Sequence, residues 1–212
     1  MTRIKICGIT NNRDAHEASR LGADMLGFVF YKSSPRYITC GCAKEIEQGL
    51  SGDIVKVGVF VDESPDALLG IAQSVGLDMA QLHGEETVEY CGNIKKHLKV
   101  IKAFRIKDRK GLSRINDYDA DFYLLDTYRS RLRGGTGKVF DWGLVSGFEF
   151  LRPVILSGGL NSENVLKAIK TVSPYGVDVS SGVEKRPGEK DLELMRGFIE
   201  TVRKADLHAI TG

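Results

Sequence analysis

A cysteine and several ionisable side chains stand at the ends of short apolar runs, where a folded chain could hold them beside an opening. Cys7 ends the run RIKIC (3–7), and His83, Arg105 and Asp126 end three later runs of the same kind. A thiol and a carboxyl group can serve as base and acid in a proton transfer. A cysteine in a strand can also be an ordinary packing residue. Which interpretation applies to Cys7 therefore depends on the strands and helices that position it.

Eight apolar, β-branched runs follow one another along the chain, and helical patterns fill most of the gaps between them. The runs start roughly 20 to 30 residues apart, which is too far for hairpins and suits βα units. They are RIKIC (3–7), MLGFVF (25–30), VKVGVFV (55–61), DMAQLH (78–83), KVIKAFR (99–105), DFYLLD (121–126), PVILS (153–157) and GVDVS (176–180).

The alternation of these runs with helices predicts the fold class. Most runs are nearly continuous in apolar residues, as strands buried on both faces are. Eight units without a break in composition predict one domain over residues 1–212, an α/β chain folded as a compact (β/α)8 or TIM barrel. The alternative is a doubly wound open sheet, although G-x-G-x-x-G is missing after the first run. The stretch KDRKGLSRINDYDA after the fifth run predicts only a short or irregular helix.

Composition excludes several classes of function. The 212 residues carry a net charge of +2, so we expect neither a nucleic-acid partner nor a membrane surface. No run approaches the roughly 20 apolar residues of a membrane helix, and no signal peptide is evident. Together with four cysteines that a large core does not need as disulfides, this predicts a cytoplasmic protein. Cys40-Gly-Cys42 lacks the C-x2-C spacing and the second pair of a zinc site, so we expect no metal.

In a TIM barrel the active site lies at the C-terminal ends of the strands, and phosphate commonly binds after strands seven and eight. Two glycine-containing loops, LSGGL (156–160) and DVSSGVE (178–184), follow those strands here, and Gly182 could begin a short extra helix. Two ordinary turns are the alternative. The predicted phosphate-binding residues are Gly158, Gly159, Ser180, Ser181 and Gly182.

A third glycine-rich segment, RLRGGTGKVFDW (131–142), follows the sixth run. It is not a Walker A motif, because Val139 stands where Ser or Thr is required. We interpret it as a mobile loop that closes over a ligand, with an exposed linker as the alternative. The predicted lid residues are Gly134, Gly135, Thr136, Gly137 and Lys138.

The motifs taken together resemble a known enzyme family. KICGIT, GFVF, SPRYI, VGVFVD, QLHG, LLDT, GGTGK-FDW, LSGGL and VDVSSGVE occur in this order over nearly the whole chain. This pattern is similar to that of the phosphoribosylanthranilate isomerases of tryptophan biosynthesis. The resemblance implies a TIM barrel and an Amadori rearrangement of N-(5-phosphoribosyl)anthranilate to 1-(2-carboxyphenylamino)-1-deoxyribulose 5-phosphate. It implies no cofactor and no metal.

The resemblance assigns the proton transfers to Cys7 as base and Asp126 as acid. At neutral pH an unperturbed cysteine is a thiol and an unperturbed aspartate a carboxylate, which is the reverse of what the mechanism needs. We therefore expect neighbouring groups to lower the pKa of Cys7, while burial and nearby negative charge keep Asp126 protonated. Exchange of the two roles fits the residue types less well but is not excluded by the sequence.

Three further side chains are expected to bind substrate. By resemblance, Arg36 takes the anthranilate carboxylate, which a guanidinium group can bind through two hydrogen bonds. His83 could line the pocket or tune Cys7, and Asp178 could bind the ribose or orient other groups. Alternation along the strand places Lys5 on the same side as Cys7, where a buried lysine would need an acidic partner such as Asp178.

Rival functions remain to be weighed. The related isomerase of histidine biosynthesis uses a pair of aspartates, which Cys7 argues against. Indole-glycerol-phosphate synthase would need a catalytic lysine set and an N-terminal extension. A non-catalytic phosphosugar-binding barrel would keep the phosphate loops, but it would have no need of both Cys7 and Asp126. The expected partner is a small phosphorylated substrate, and the expected assembly is a monomer or homodimer.

Overall fold

The computed structural model describes residues 1–50, 52–127 and 141–211. Eight parallel strands form its centre, each hydrogen-bonded to the next, and the first strand pairs with the last. This closure confirms the TIM barrel and excludes the open sheet. The strands are β1 (Arg3–Cys7), β2 (Met25–Val29), β3 (Val55–Phe60), β4 (Met79–Leu82), β5 (Lys99–Ile106), β6 (Phe122–Thr127), β7 (Val154–Leu156) and β8 (Gly176–Val179).

Helices pack around the barrel, and several begin where their sequence predicts. Asn11 and Ser64 cap the N-termini of two of them with side-chain oxygens, and Pro65 occupies the first helical turn after Ser64. The helices are α1 (Asn12–Leu21), α2 (Cys40–Gly49), α3 (Pro65–Val75), α4 (Val88–Lys95), α5 (Val165–Val172) and α6 (Leu192–Thr211). Within the described part of the chain, none of them is long and apolar enough to cross a membrane.

The segments without a full helix also have the structure that their sequence predicts, with one exception. A 3₁₀ helix at Arg109–Asp117 replaces an α-helix after β5, as expected. The exception is the stretch before α6, where EKDLELMRGFIETVRKA has helical spacing already from Glu189. Residues Glu184–Arg186 (β9) and Glu189–Lys190 (β10) instead form an antiparallel hairpin. The reason is tertiary contact, because the buried Lys190 ammonium is held by the Cys7 carbonyl oxygen on β1 and by Glu184 within the hairpin.

Side chains alternate along each strand between the barrel interior and the layer under the helices. On β1, Ile4 and Ile6 face outwards into the main apolar core, while Lys5 and Cys7 face inwards. The interior near the N-terminal ends of the strands is apolar, filled by Met25, Val57, Met79, Ile101, Ala103, Leu124 and Ile155. The polar part of the interior therefore lies towards the C-terminal ends of the strands, below the expected site.

Asp24 clamps the opposite end of the barrel. Its carboxylate accepts hydrogen bonds from the Ile4 amide (2.8 Å), from Arg3 Nη1 (2.6 Å) and from Arg203 Nη2 on α6 (2.8 Å). Burial opposes ionisation, but the hydrogen bonds from Arg203 and Arg3 outweigh it and lower the pKa of Asp24. The clamp thus joins the first two strands to the last helix through a charged group.

We expect Asp24→Asn to reduce the free energy of unfolding at pH 7 by about 1 to 3 kcal/mol, because it removes charge-assisted hydrogen bonds. The folded-state pKa of Asp24 is below its unfolded value, so its contribution is complete above about pH 4 and is lost as the pH falls through the folded-state pKa. Urea denaturation of both proteins should show a difference that narrows below pH 4. A difference that stays constant from pH 7 to pH 3 would contradict this account.

Candidate active site

A cavity of about 630 Å³ opens at the C-terminal ends of the strands. All ten predicted site residues that the structure describes line this one cavity: Cys7, Arg36, His83, Asp126, Gly158, Gly159, Asp178, Ser180, Ser181 and Gly182. The predicted lid residues 134–138 lie outside the described residues. The arrangement agrees with the barrel rule, since each lining side chain ends a strand or lies in the loop after it.

Cys7 faces the cavity and has little room around it. Its residue is 8% exposed, which is enough for contact with a ligand but not for bulk hydration. Its neighbour across the sheet is Gly27 on β2. A Cβ at Gly27 would lie 2.8 Å from Cys7 Sγ and 3.1 Å from Lys5 Nζ, so glycine leaves space for both groups. The thiol and the Lys5 ammonium therefore share one small interior volume.

A buried chain of polar groups lies beneath the thiol. Lys5 Nζ donates to Asp178 Oδ1 at 2.8 Å, and Ser157 Oγ donates to Asp178 Oδ2 at 2.9 Å. The predicted pairing of Lys5 with Asp178 is thus confirmed. Burial opposes the charge on Lys5, but the Asp178 carboxylate outweighs it and raises the pKa of the lysine. Lys5 is consequently a fixed positive charge close to Cys7.

The expectation that neighbours lower the pKa of Cys7 is wrong for this structure. Burial raises the pKa of the thiol above its usual value, and the nearby Asp178 carboxylate adds to that shift. Lys5 and Lys190 act in the opposite direction without cancelling the effect of burial. The thiol is therefore neutral at neutral pH, although it lies beside cations that favour the thiolate.

Asp126 belongs to a second hydrogen-bonded chain. His83 Nε2 lies 3.2 Å from Asp126 Oδ2, and His83 Nδ1 lies 2.8 Å from Gln81 Nε2. Gln81 is 1% exposed and points into the barrel from β4. The imidazole is held at both nitrogens, so His83 orients the Asp126 carboxyl group rather than reaching towards Cys7. Of the two roles expected for His83, the geometry favours lining the pocket.

Arg36 is held by a partner that the sequence did not predict. Its Nε and Nη2 donate to Glu184 Oε1 and Oε2 at 2.8 and 2.6 Å. Glu184 also accepts from Lys190 Nζ at 2.8 Å. Burial opposes ionisation of Glu184, yet the hydrogen bonds and charges of Arg36 and Lys190 lower its pKa. Arg36 thus lines the cavity within a network of three charged groups.

The two predicted phosphate loops lie side by side. Gly158 and Gly159 have φ values of 89° and 72°, which L-residues rarely adopt. A Cβ on Gly182 would lie 1.9 Å from the Leu160 carbonyl oxygen, so the loops approach each other more closely than any side chain would permit. The expected short helix exists as a single 3₁₀ turn at Ser181–Val183. The Ser180 hydroxyl oxygen is buried beside Arg36 and, within the described residues, has no hydrogen-bond partner.

Comparison with known proteins agrees with this geometry. The family model for N-(5'-phosphoribosyl)anthranilate isomerase matches residues 4–201. The isomerase of Thermotoga neapolitana is 47% identical over 204 residues, covering 96% of this chain and 99% of the relative. The chain belongs to the N-(5'-phosphoribosyl)anthranilate isomerase family. Membership in the family makes it an isomerase of tryptophan biosynthesis.

Solved structures support the same conclusion. One shows monomers generated from the dimeric isomerase of Thermotoga maritima, with 43% identity, a TM-score of 0.88 and coverage of 96% of this chain and 100% of that one. Another is an isomerase in complex with reduced 1-(o-carboxyphenylamino)-1-deoxyribulose 5-phosphate, with 42% identity, a TM-score of 0.86 and the same coverage. The fold is therefore that of the family.

Sequence reasoning missed Gln81, Glu184 and Lys190. Gln81 stands two residues before His83 on a strand, so alternation alone could have placed both on the interior face. Glu184 lies in the DVSSGVE motif, for which only phosphate binding and a short helix from Gly182 are predicted. Lys190 lies in a stretch with helical spacing, and nothing in that pattern indicates a buried lysine.

The raised pKa of Cys7 gives a direct chemical test. Only the thiolate is alkylated by iodoacetamide, so the rate at Cys7 should rise about tenfold for each pH unit and should still be rising at pH 9. Peptide mass spectrometry can follow Cys7 and the exposed Cys42 in the same sample, and restricted access to Cys7 would scale its rate equally at every pH. A rate at Cys7 that levels off below pH 8 would show that the cations outweigh burial.

Proposed function

We propose that this chain rearranges N-(5-phosphoribosyl)anthranilate to 1-(2-carboxyphenylamino)-1-deoxyribulose 5-phosphate, with Cys7 as base and Asp126 as acid. The observation that carries the proposal is a single cavity lined by the thiol of β1, the carboxyl group of β6 and the two glycine loops after β7 and β8. A sugar whose phosphate rests on those loops would have its reacting carbons between the strand ends. One domain over residues 1–212 is sufficient for this site.

The reaction needs two proton transfers at different atoms. Asp126, as the general acid, gives a proton to the ring oxygen as the bond between that oxygen and C1 breaks, which leaves a Schiff base between C1 and the anilino nitrogen. Cys7, as thiolate, then removes the proton from C2, and the electron pair forms the C1–C2 double bond of an enolamine. Tautomerisation places a proton on C1 and gives the C2 ketone. No step calls for a cofactor or a metal ion.

The buried charges around Cys7 suit its role as a base. The resting thiol has a raised pKa, so it must lose its proton on the way to the reactive state. Lys5 and Lys190 stabilise the thiolate electrostatically, and Asp178 keeps Lys5 charged and in place. Asp178 therefore acts on the reaction chiefly through Lys5. His83 and Gln81 support the proposal by holding the Asp126 carboxyl group at the rim.

The remaining parts of the site bind the two ends of the substrate. Arg36 takes the anthranilate carboxylate, and the predicted phosphate-binding residues take the phosphate. The Gly159 amide supports this assignment, because it donates no hydrogen bond to the part of the chain described by the structure. Residues 134–138 stay a predicted lid.

The cellular setting is also proposed. All four cysteines are free thiols, which supports a reducing compartment and hence the cytoplasm. The small net charge supports the expectation that neither nucleic acid nor a membrane is a partner. We propose a monomer or homodimer as the assembly.

Removal of either proton-transfer group should abolish most of the activity. We expect Cys7→Ala and Asp126→Asn each to lower kcat by about 1,000-fold or more, since a positioned acid or base contributes roughly 100- to 10,000-fold. The assay adds enzyme to freshly made phosphoribosylanthranilate and follows the loss of its fluorescence. Cys42→Ala, at an exposed thiol on α2, is the control and should match the wild type. Full activity in both site variants would refute the assignment.

The phosphate assignment predicts competition by simple anions. Inorganic phosphate or sulfate should raise KM for phosphoribosylanthranilate and leave kcat unchanged, because the ion occupies the loops that would hold the 5-phosphate. Sodium chloride at matched ionic strength is the control for charge screening. Equal effects of phosphate and chloride would count against the site between the β7 and β8 loops.

A further inference from the structure

The guanidinium group of Arg36 has two hydrogen-bonding edges that can each bind a carboxylate, and Glu184 occupies one of them. Glu184 takes the side edge, formed by Nε and Nη2, with two hydrogen bonds of 2.8 and 2.6 Å. Nη1 makes no hydrogen bond to any residue that the structure describes. A guanidinium group can bind a second carboxylate through Nη1 and the remaining N–H of Nη2. Glu184 therefore fixes the plane of Arg36 and leaves its end edge for another anion.

A carboxylate beside the binding site would normally repel an anionic ligand, and Lys190 removes that obstacle. The Glu184 side chain is 3% exposed and the Lys190 side chain is fully buried, so neither charge is screened by water. Burial, together with the nearby charge of Arg36, lowers the pKa of Lys190 although Glu184 acts in the opposite direction. Its Nζ nevertheless faces three acceptors, Cys7 O at 2.5 Å, Glu184 Oε1 at 2.8 Å and Ser180 O at 3.3 Å, and only the ammonium form has three donors.

The charges of this network sum to +1, because Arg36 and Lys190 are positive and Glu184 is negative. Without Lys190 the sum would be zero, and an incoming carboxylate would meet Glu184 behind the guanidinium group. With Lys190 the network retains the charge needed to attract an anion, while Arg36 stays fixed in one orientation. The arrangement is thus a prepared anion site rather than a closed ion pair.

The network is also tied to the strand that carries the base. Lys190 Nζ bonds the carbonyl oxygen of Cys7, and the Lys190 amide donates to Asp14 Oδ2 at 2.8 Å. Thr10 Oγ1 donates to the Gly188 carbonyl at 2.5 Å, so the β9–β10 hairpin is docked on the segment after β1 from both sides. The distance between Arg36 and Cys7 is therefore fixed by buried contacts and not by an exposed loop alone.

We propose that Glu184 and Lys190 are positioning residues that prepare Arg36 to select substrates with an aryl carboxylate. Glu184 orients the guanidinium group, and Lys190 compensates the charge of Glu184 and ties the carboxylate anchor to the backbone of Cys7. The inference rests on the proposed role of Arg36 in the isomerase reaction. It assigns specificity to two residues that touch neither the reacting carbons nor the phosphate.

The test measures discrimination between two substrates. One is phosphoribosylanthranilate, and the other is N-(5-phosphoribosyl)aniline, which lacks only the carboxylate. The ratio of their kcat/KM values is the readout, because a merely structural lesion lowers both values together. Arg36→Met gives the ratio for an absent anchor. We expect Glu184→Gln and Lys190→Met each to lower the ratio about 10- to 100-fold, as the loss of charge-assisted hydrogen bonds would.

Two further variants separate specificity from stability. Asp24→Asn breaks a charged cluster at the other end of the barrel and should leave the ratio unchanged while lowering stability. The double variant Glu184→Gln with Lys190→Met removes both members of the fully buried ion pair and leaves only Arg36, which faces the cavity, so it provides a folded protein if a single variant is unstable. It should also discriminate less than the wild type, because Arg36 has lost its clamp.

The outcomes are distinct. Ratios within twofold of the wild type in folded Glu184 and Lys190 variants would overturn the inference and make the network structural. An unchanged ratio in Arg36→Met would overturn it as well, since no anchor would then exist to be prepared. Failure of the wild type to consume phosphoribosylanthranilate would instead refute the proposed function. A lowered ratio in these variants, with that in Asp24→Asn preserved, would support the inference.

Discussion

The ion pair between Lys5 and Asp178 inside the barrel is the interaction on which the site depends. It joins β1 to β8, the first and last strands, at the point where the barrel closes. Two charges removed from water are tolerable only when they are paired and their remaining hydrogen-bonding groups are satisfied, and Ser157 supplies the second bond to Asp178. The pair places a permanent cation beneath Cys7. The interior of the barrel is therefore apolar at one end and charged at the other.

Paired charge recurs around the mouth of the barrel. Glu184 lies between Arg36 and Lys190, and Asp126 contacts His83. The pairs Arg36–Glu184 and His83–Asp126 join residues that are distant in sequence, so the same contacts that hold the loops also set the polarity of the cavity. This arrangement explains how a buried thiol with a raised pKa can act as the base that we propose. Burial disfavours the thiolate, and the positive charges of two lysines offset part of this effect. Other contacts keep both lysines in place.

The sequence was most informative where one physical rule dominates. Buried parallel strands need apolar residues on both faces, so the eight runs located every strand of the barrel to within about one residue. The strand ends then located Cys7 and Asp126, and alternation located Lys5. The partner of Arg36 could not be found this way, because nothing local in DVSSGVE distinguishes a buried Glu184 from an exposed one. The hairpin before α6 was missed because its lysine carries a charge that patterns assign to the surface. The protonation state of Cys7 depends on the balance between burial, which favours the thiol, and the nearby lysines, which favour the thiolate. That balance can be judged only from the positions of these groups in the folded protein.

The contact of Gly182 with the Leu160 carbonyl has a consequence for how the barrel can adapt. Two loops that meet with no space for a methyl group cannot move independently. Neither loop can therefore shift to accept a larger anionic group. New ligand preferences would have to arise elsewhere around the mouth, near Arg36 and His83, where side chains rather than backbone form the wall. One half of the mouth is thus fixed in shape, and the other half is open to evolutionary change.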